Sequence, residues 1–298
     1  MSRPHHPLAT LLALLALAGL ALGACSRPRG GGGGGGDDDD DSASQDDDDV
    51  GDDDDASFDP QGEPLQWIFT SGFDANDAAL GAAVLAVDAD LIDALDLGGE
   101  LTDRTLELEA LTDADIDGVD HPDGDVGDLL GVAVAGSSEA SVQAHEGLVL
   151  LEERTAIVPG SPNLYTRTFP GGDDACWSAG SCDLLEAEDT FRNENLLMEI
   201  DGERSVEVRR LVLSDGRRAL VERAWLPEAA LTDSGDRGLR QEYRVAVILG
   251  ESVPTRRLTA VWFHLDPGIT MDPELLLNVT AAGLADALEA EDAYLAGR

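Results

Sequence analysis

The chain has 298 residues and a formal net charge of −42, because it carries 61 aspartates and glutamates against 19 arginines and no lysine. Such an acidic chain repels phosphate groups, so anionic lipid head groups are poor partners and no nucleic-acid partner is expected. The hydrophobic content of 43% is normal for globular proteins and excludes disorder of the whole chain. Three cysteines are too few for a disulfide-dense scaffold.

The first 25 residues have the order of features found in an export signal. Arg3 precedes a 15-residue apolar run from Leu8 to Leu22, which is shorter than the roughly 20 residues that span a bilayer. The run ends in the sequence LGAC, whose last residue is Cys25. This ending resembles the lipobox of bacterial lipoproteins, in which a small residue precedes the cysteine that is lipidated and becomes the new N-terminus. The resemblance implies that residues 1–24 form a lipoprotein signal peptide and that Cys25 carries a diacylglyceryl group and an N-acyl chain such as palmitate.

Lipidation of this kind would decide where the protein resides. Several acyl chains on one residue hold a protein stably at a membrane, whereas a single chain binds only marginally. The resemblance therefore implies an exported protein whose partner is the lipid bilayer, reached through acylated Cys25. In this family a serine after the cysteine, here Ser26, favours the outer membrane of a diderm cell, on its periplasmic face or at the cell surface. The alternative is an ordinary cleaved signal that ends by chance in a cysteine.

Residues 25–59 consist of the lipidated cysteine and a tether that is predicted to be disordered. Gly30–Gly36 is a run of glycines, and three runs of aspartate follow it between Asp37 and Asp55. This composition buries no apolar area and so stays unfolded. We interpret the segment as a solvated spacer between membrane and domain, and weak Ca²⁺ buffering by the aspartate runs is the alternative.

Residues 60–298 are long enough for a single globular domain, or for two intimate halves that meet near residue 150. In the first half, apolar residues recur at spacings of four and three between Asn76 and Leu97, which predicts a helix there. A strand over Ala83–Val87 is the competing interpretation. Segments rich in leucine, valine and threonine predict strands at residues 65–70, 104–111, 129–135, 147–158 and 163–169.

The second half has the clearer pattern. Alternating apolar residues predict four antiparallel strands in a meander, and Asp215-Gly216 between the first two is a strong hairpin signal. A long helix should follow, with Asp272 as N-cap, Pro273 at its first position and Gly297 just past its end. The apolar stripe of this helix is Leu277, Ala281, Leu284, Leu288 and Leu295.

These elements predict an α+β fold, a mainly antiparallel β-sheet with one helix in the N-terminal half and a long C-terminal helix. The order of elements resembles that of helix-grip folds, which hold apolar ligands. This resemblance concerns element order alone, and no sequence motif supports it. A fold of this kind would leave the function open.

Cys176 and Cys182 are the cysteines that remain once Cys25 is lipidated. In an exported protein such a pair is expected to form a disulfide that closes a small loop. Free or metal-bound thiols are the alternative, although the spacing matches neither a redox pair nor a zinc set. We expect the bond to pin the irregular segment between strands near residues 169 and 205.

The segment Thr112–Gly118 begins like a calcium-binding loop, because alternate aspartates put their carboxylates on one side and the glycine permits a sharp turn. An EF-hand would place a bidentate acid six residues after that glycine, where Gly124 stands instead. A simpler Ca²⁺-stabilised loop remains the hypothesis, and an acidic surface loop without metal is the alternative. The candidate ligands are Asp113, Asp115, Asp117 and Asp120. No other cofactor is predicted.

Eleven of the 19 arginines fall between Arg204 and Arg257, together with eight acidic residues. On paired strands these arginines should form cross-strand ion pairs with Glu207, Glu222 and Glu242. They should also face residues 60–150, where 20 acidic residues stand against one arginine. An anion-binding face is the alternative interpretation.

No local signature of an enzyme is present. The chain has no His-Glu-x-x-His, no Gly-x-Ser-x-Gly and no phosphate-binding glycine loop, and His121, His145 and His264 stand far apart. No catalytic residue is therefore predicted. The predicted function is a non-enzymatic binding or interaction module, either a carrier of an apolar small molecule or an envelope structural protein. The alternative is a hydrolase of envelope or extracellular glycan that uses paired carboxylates, which leave no local pattern.

Overall fold

A computed structural model describes residue 58 and residues 63–157, 164–194 and 199–297. The predicted signal peptide, Cys25 and the tether up to residue 57 lie outside the described residues. In the described part of the chain, nine antiparallel strands form one sheet, which confirms the predicted α+β class. The strands are Thr105–Leu108 (β1), Leu130–Ser138 (β2), Leu164–Thr168 (β3), Leu184–Glu194 (β4), Glu199–Val212 (β5), Arg218–Trp225 (β6), Ala230–Leu231 (β7), Gly238–Gly250 (β8) and Thr255–Asp266 (β9).

Across the sheet the strands run in the order β1-β2-β9-β8-β6-β5-β4-β3, and the short β7 pairs with β8. The predicted meander is confirmed, because β5, β6, β8 and β9 pair in succession. The first-half strand β2 pairs along its whole length with the last strand, β9. Strands from both halves of the chain therefore share one sheet.

Six α-helices lie among the described residues. They are Pro64–Trp67 (α1), Asp77–Ala86 (α2), Asp113–Ile116 (α3), Val142–Val149 (α4), Asp174–Ala179 (α5) and Pro273–Ala296 (α6). The first two continue as wider π-helical turns, at Ile68–Gly72 and Val87–Ile92. None of the helices in the described ranges combines the length and apolar character needed to cross a membrane.

Both faces of the sheet are covered, because successive side chains of each strand point to opposite faces. On one face, Tyr243, Val245 and Val247 pack in a core with residues of α1 and α2 such as Leu80 and Val84. On the opposite face, strand residues of β2, β8 and β9 pack against α6, and those of β5 and β6 pack against α4 and α5. The two helical layers leave the sheet as the middle layer of the molecule.

The C-terminal helix α6 has the ends predicted for it. The Asp272 side chain accepts a hydrogen bond from the backbone N–H of Glu274 at 3.0 Å, Pro273 occupies the first turn, and Gly297 follows the last residue. Its buried residues are Leu276, Val279, Ala281, Leu284, Ala285 and Leu288. The predicted stripe is right at its centre, whereas Leu277 and Leu295 are half-buried.

Two predicted strands are wrong. Residues 65–70 form α1 and its π-helical turn, which begin at Pro64 and bury Leu65, Ile68 and Phe69. Residues 147–158 include the end of α4 and a 3₁₀ turn at Thr155–Ile157. Short apolar runs fit a buried helix as well as a strand, so periodicity alone does not separate them.

The other first-half predictions are confirmed with shifted ends. The helix predicted between Asn76 and Leu97 exists as α2 and its π-helical turn, and the Asn76 side chain caps it by accepting from Ala79 N at 3.0 Å. Strand β1 is shorter than predicted, while β2 runs on to Ser138 and β3 matches. The Asp215-Gly216 hairpin joins β5 and β6, with Gly216 at a φ of 89° that suits glycine.

Candidate functional site

The space between α6 and the β8–β9 hairpin contains two cavities, which lie next to each other along the same elements. The polar cavity, of about 70 Å³, is lined by His145, Arg154, Glu222, Arg257 and Glu291 together with aliphatic side chains. The apolar cavity, of about 60 Å³, is lined mainly by Leu239, Val261, Phe263, Leu265, Leu284 and Gly283, together with the charged residues Glu242 and Arg244. We refer to these two cavities together as the helix–sheet seam.

The alternation of strand β9 places both cavities on one face. Val261, Phe263 and Leu265 point toward α6 in the apolar cavity, and Arg257 and Thr259 continue the same row into the polar cavity. On α6, Leu284 lines the apolar cavity, and Leu288 and Glu291 line the polar cavity. These residues are about one helical turn apart, so they lie on the same face of the helix. The apolar cavity thus has mainly aliphatic and aromatic walls, with the charged residues Glu242 and Arg244 in its lining, and the polar cavity carries the larger set of charged groups.

Arg257 ties the polar cavity to the C-terminal part of α6. Its side chain is 2% exposed, and its Nη2 donates to Asp292 Oδ2 at 2.7 Å and to the Leu288 carbonyl at 3.2 Å. Its Nη1 lies 3.4 Å from Glu291 Oε2. Burial raises the pKa of Glu291, an effect that the charge of Arg257 opposes. Arg257 thereby holds the helix end over the cavity.

His145 on α4 lies beside Ser138 at the end of β2. Its Nε2 is 3.2 Å from Ser138 Oγ, and the same hydroxyl donates to Asp292 and accepts from the Ala140 N–H. Burial and the charge of Arg257 lower the pKa of His145, and Asp292 opposes them, so that this pKa comes to about 4. The imidazole is therefore neutral at pH 7, and its Nδ1 is buried with no hydrogen-bond partner in the described structure.

Arg154 is the second unusual group of the polar cavity. The residue is 8% exposed, and its guanidinium lies over the Tyr165 ring at 5.5 Å from the centroid. Within the described residues, its Nε and Nη1 atoms have no hydrogen-bond partner, and neither has Nε of Arg257. Buried polar groups are normally paired, so unpaired ones call for an explanation such as a bound water, ion or ligand.

Beyond Arg154 the same face of the sheet carries a network of buried charges. Arg167 forms a pair of hydrogen bonds with Asp189, which also accepts from the Tyr165 hydroxyl. Burial alone would raise the pKa of Asp189, but the charge and hydrogen bonds of Arg167 outweigh it and bring this pKa to about 2. Both residues are therefore ionised at neutral pH. Through Asp189 they position the Tyr165 side chain, whose ring lies under the guanidinium of Arg154.

A second group of buried ion pairs includes two residues that line the apolar cavity, Glu242 and Arg244. Arg204 Nη2 donates to Glu242 Oε2 at 3.1 Å, and Arg244 contacts the same carboxylate. Burial would raise the pKa of Glu242, but the charges of Arg204 and Arg244 lower it overall. The Arg204 guanidinium also stacks on the Phe191 ring at 4.1 Å from its centroid. The charged groups of this face are thus mostly paired with one another.

The predicted ion pairs are confirmed for two of the three glutamates. Arg223 pairs with Glu207 across β5 and β6 at 2.7 Å, and Arg204 on β5 pairs with Glu242 on β8. Glu222 pairs instead with Arg167 on β3, which lies outside the arginine-rich strands. The expected contacts to the acidic first half are also present. Asp88 on the α2 extension is buried between Arg217 at 2.6 Å and Arg256 at 2.9 Å.

The predicted disulfide is confirmed, because Cys176 and Cys182 are bonded to each other. The bond closes a loop that begins within α5 and contains the buried residue Trp177. Arg210 stacks on the Trp177 ring at 3.8 Å and donates to its carbonyl at 2.7 Å. The disulfide loop is in this way held against β5, in the same hydrophobic cluster as Val149 and Leu220 of the polar cavity.

The four aspartates predicted to bind calcium lie on and just after α3. Asp113 and Asp115 belong to this short helix, Asp117 follows its last residue, and Asp120 lies beyond the turn. Asp115 is engaged in capping, since it accepts from the Thr112 N–H at 2.7 Å and from the Thr112 hydroxyl. Among the residues that the structure describes, no three acidic, histidine or cysteine side chains are grouped to hold a metal ion. The calcium loop stays a prediction.

Sequence reasoning missed the residues of the polar cavity because they come from separate elements. The charged and histidine residues that line it extend over more than half of the globular region and share no spacing; they are His145, Arg154, Glu222, Arg257 and Glu291. One signal was present in the strand pattern. Arg257 occupies the same face of β9 as Val261 and Phe263, and a charge within such an apolar row indicates a buried polar contact.

Comparison with known proteins identifies no family for this chain. No protein-family model matches it, and neither does any curated protein. Among solved structures, a STAR-related lipid transfer protein from Xanthomonas axonopodis is similar with a TM-score of 0.39 and 11% identity, over 56% of this chain and 86% of that one. The lipid transfer and protein localization domain of human StarD13 gives a TM-score of 0.33 and 14% identity, over 62% and 88% of the two chains.

Human StAR-related lipid transfer protein 5 is similar with a TM-score of 0.32 and 11% identity, over 72% of this chain and 96% of that one. TM-scores below 0.5 do not establish a common fold. The helix–sheet seam is therefore interpreted from its own residues.

Proposed function

We propose that this chain is an exported lipoprotein, held at a lipid bilayer through acylated Cys25, whose globular part is a non-enzymatic module that binds a small amphipathic molecule. The observation that carries the binding proposal is the helix–sheet seam, where an apolar cavity adjoins a polar cavity with unpartnered buried donors. Ligand sites combine mainly apolar walls with a few polar groups that fix orientation. An amphipathic molecule matches both halves of the seam.

The size of the seam limits the size of the ligand. The two volumes together approach the roughly 150 Å³ of apolar cavities that bind benzene, and they are below the roughly 300 Å³ of ordinary ligand sites. A molecule with about six carbon atoms fits this space, whereas a longer chain would require α6 to move away from the sheet. Six-carbon compounds are therefore the appropriate probes.

A glycine of α6 allows the seam to be blocked. A Cβ atom on Gly283 would meet no atom within 4 Å, and the same holds for Gly147 on α4, which is exposed and lies outside both cavities. In the full chain carrying Cys25→Ser, we expect Gly283→Leu to abolish binding of 1-hexanol, hexanoate and hexylamine measured by ligand-observed NMR. Gly147→Leu is the matched control and should bind as the parent does. Absence of binding by all three compounds to the parent would refute the ligand-binding proposal.

The anchor is tested separately. Cells that produce the wild-type chain should incorporate a palmitate analogue into it, and Cys25→Ser should remove the label together with tight membrane association. Ser26→Ala is the matched control, because it changes the neighbouring residue and leaves the acylated thiol in place. An unlabelled wild-type chain would overturn the lipoprotein assignment without touching the binding proposal.

A glycan hydrolase is the second candidate, since two carboxylates, Glu222 and Glu291, line the polar cavity and the pKa of Glu291 is raised by burial. Both carboxylates pair with arginines, Arg167 and Arg257, at 3.4 Å. A cavity of about 70 Å³ also has little room for a sugar ring between them. Hydrolysis of envelope glycan by the parent chain, lost in Glu291→Gln, would favour this alternative.

A further inference from the structure

We infer that the polar cavity selects a ligand with a neutral hydroxyl group, which donates to His145 Nδ1 and accepts from the guanidinium of Arg154. This inference rests on the proposed function and names the ligand class that the seam would take. It follows from the hydrogen-bonding capacity of four side chains.

The hydrogen bonds of Ser138 decide which nitrogen of His145 carries the proton. A serine hydroxyl has one donor hydrogen and two acceptor positions. The Ser138 hydroxyl donates its hydrogen to Asp292 and accepts from the Ala140 N–H. Its oxygen has one acceptor position left, so Nε2 of His145 must be the donor to that position. In a neutral imidazole the other nitrogen is then an acceptor. Nδ1, which is buried and lacks a partner in the described structure, is therefore an acceptor that a donor group of a ligand would satisfy.

The arginines of the same cavity need the opposite kind of partner, a hydrogen-bond acceptor. Nε and Nη1 of Arg154 are buried donors without a hydrogen-bond acceptor in the described structure, and Nε of Arg257 is a third. A group placed in the polar cavity must thus accept from a guanidinium and donate to an imidazole. A hydroxyl group does both at one oxygen atom.

Charged head groups satisfy only part of this arrangement. A carboxylate accepts from Arg154 but offers His145 Nδ1 no hydrogen, and an ammonium donates to His145 but repels the guanidinium. The lining is already balanced, with Arg154 and Arg257 against Glu222 and Glu291. A further full charge would be buried without a counter-charge of its own, which is costly. The hydroxyl of a short alcohol adds no charge.

Three six-carbon probes and the methyl ether of hexanol test this inference on the full chain carrying Cys25→Ser. We expect 1-hexanol to bind about tenfold more tightly than hexanoate or hexylamine, and about tenfold more tightly than 1-methoxyhexane, which accepts but does not donate. The comparison among ligands needs no change to the protein. Equal or tighter binding of hexanoate would overturn the hydroxyl assignment, and equal binding of the ether would overturn the role of His145. If none of the probes binds, the proposed function itself fails.

Two variants assign the contacts to residues. Arg154→Met should weaken hexanol binding about tenfold, and His145→Leu should remove the preference for hexanol over its methyl ether. Arg240→Met is the matched control, because Arg240 pairs with Asp266 outside the polar cavity. Thermal unfolding of each variant shows whether it folds. Should Arg154→Met fold and bind hexanol like the parent, the assignment of Arg154 is wrong.

Discussion

Arg167 donates two hydrogen bonds to Asp189, from Nε to Oδ1 at 2.6 Å and from Nη2 to Oδ2 at 2.8 Å, on adjacent strands with both side chains buried. The register of β3 and β4 sets the two residues directly opposite each other. A bidentate pair of this kind fixes the relative orientation of the two side chains and also brings their opposite charges together. It thereby positions Tyr165, the ring on which Arg154 of the polar cavity lies.

Breaking this pair should be costly. Asp189→Asn leaves the Arg167 guanidinium buried with reduced compensation, and we expect a loss of about 3–5 kcal/mol in the free energy of unfolding. The matched control is Asp201→Asn, which breaks the exposed Arg192–Asp201 pair between β4 and β5 and should cost under about 1 kcal/mol. Urea unfolding of the two variants measures the difference. Similar losses would mean that burial of the first pair contributes little.

Acid should destabilise the protein through His145. Its pKa of about 4 in the folded state lies below the value of 6.5 of a free histidine, so between these limits the unfolded chain binds a proton that the folded one does not. The free energy of unfolding should therefore fall as pH drops from 6.5 to 4, by about 3 kcal/mol from this group. Ser138, Asp292 and Arg257 are the polar groups that face it.

The effect is isolated by comparison with His145→Gln, whose amide does not titrate and can donate to Ser138. Wild type and variant are unfolded with urea at several pH values, since acidic residues also titrate near the lower limit. The difference between the two curves should shrink as pH falls from 6.5 to 4. A constant difference would show that His145 is not held neutral in the folded state.

Reduction of the Cys176–Cys182 bond should lower stability modestly. The bond closes a short loop, so the entropy that it removes from the unfolded chain corresponds to about 2 kcal/mol. Reductant should lower the thermal midpoint of the wild type and leave that of a Cys176→Ala, Cys182→Ala double variant unchanged. If reductant leaves the wild-type midpoint unchanged, the disulfide has no structural role.

Calcium remains to be tested at the loop that follows β1. A bound ion is expected to give a saturable heat at millimolar concentration and to raise the thermal midpoint of the full chain. Asp113→Asn with Asp117→Asn should remove both effects, and these positions leave the capping role of Asp115 intact. The aspartate runs of the tether are unchanged in this variant. A response that survives it would belong to the tether, and no response at all would leave an acidic surface loop.

The parts of the fold that could be predicted have strong local causes. The hairpin at Gly216 depends on a turn that only a few sequences adopt, and α6 carries an aspartate cap, a proline in its first turn and a glycine at its end. Residues 65–70 follow Pro64 at the first helical position but have no capping side chain, and their short apolar run fits a strand equally well. There the choice of helix over strand depends on packing against the sheet, which no local pattern records.

The missed α4 had a readable start. Ser141 accepts from the Ala144 N–H at 3.2 Å, which is the usual serine N-cap, but the run of leucine and valine after residue 147 suggested a strand instead. The helix–sheet seam could not be predicted at all. His145 and Arg257 meet there because β2 pairs with β9, and this pairing joins residues more than 100 positions apart.

The layer formed by α1 and α2 has a consequence for how the chain reaches its folded state. Leu80 and Val84 pack with Leu211, Leu213 and Leu249, which are made more than 100 residues later. Contacts so distant in sequence slow folding, because a long loop must close before they form. The first helices therefore emerge from synthesis with an uncovered apolar face, and a chaperone that shields this face until β9 is complete would raise the yield of folded protein.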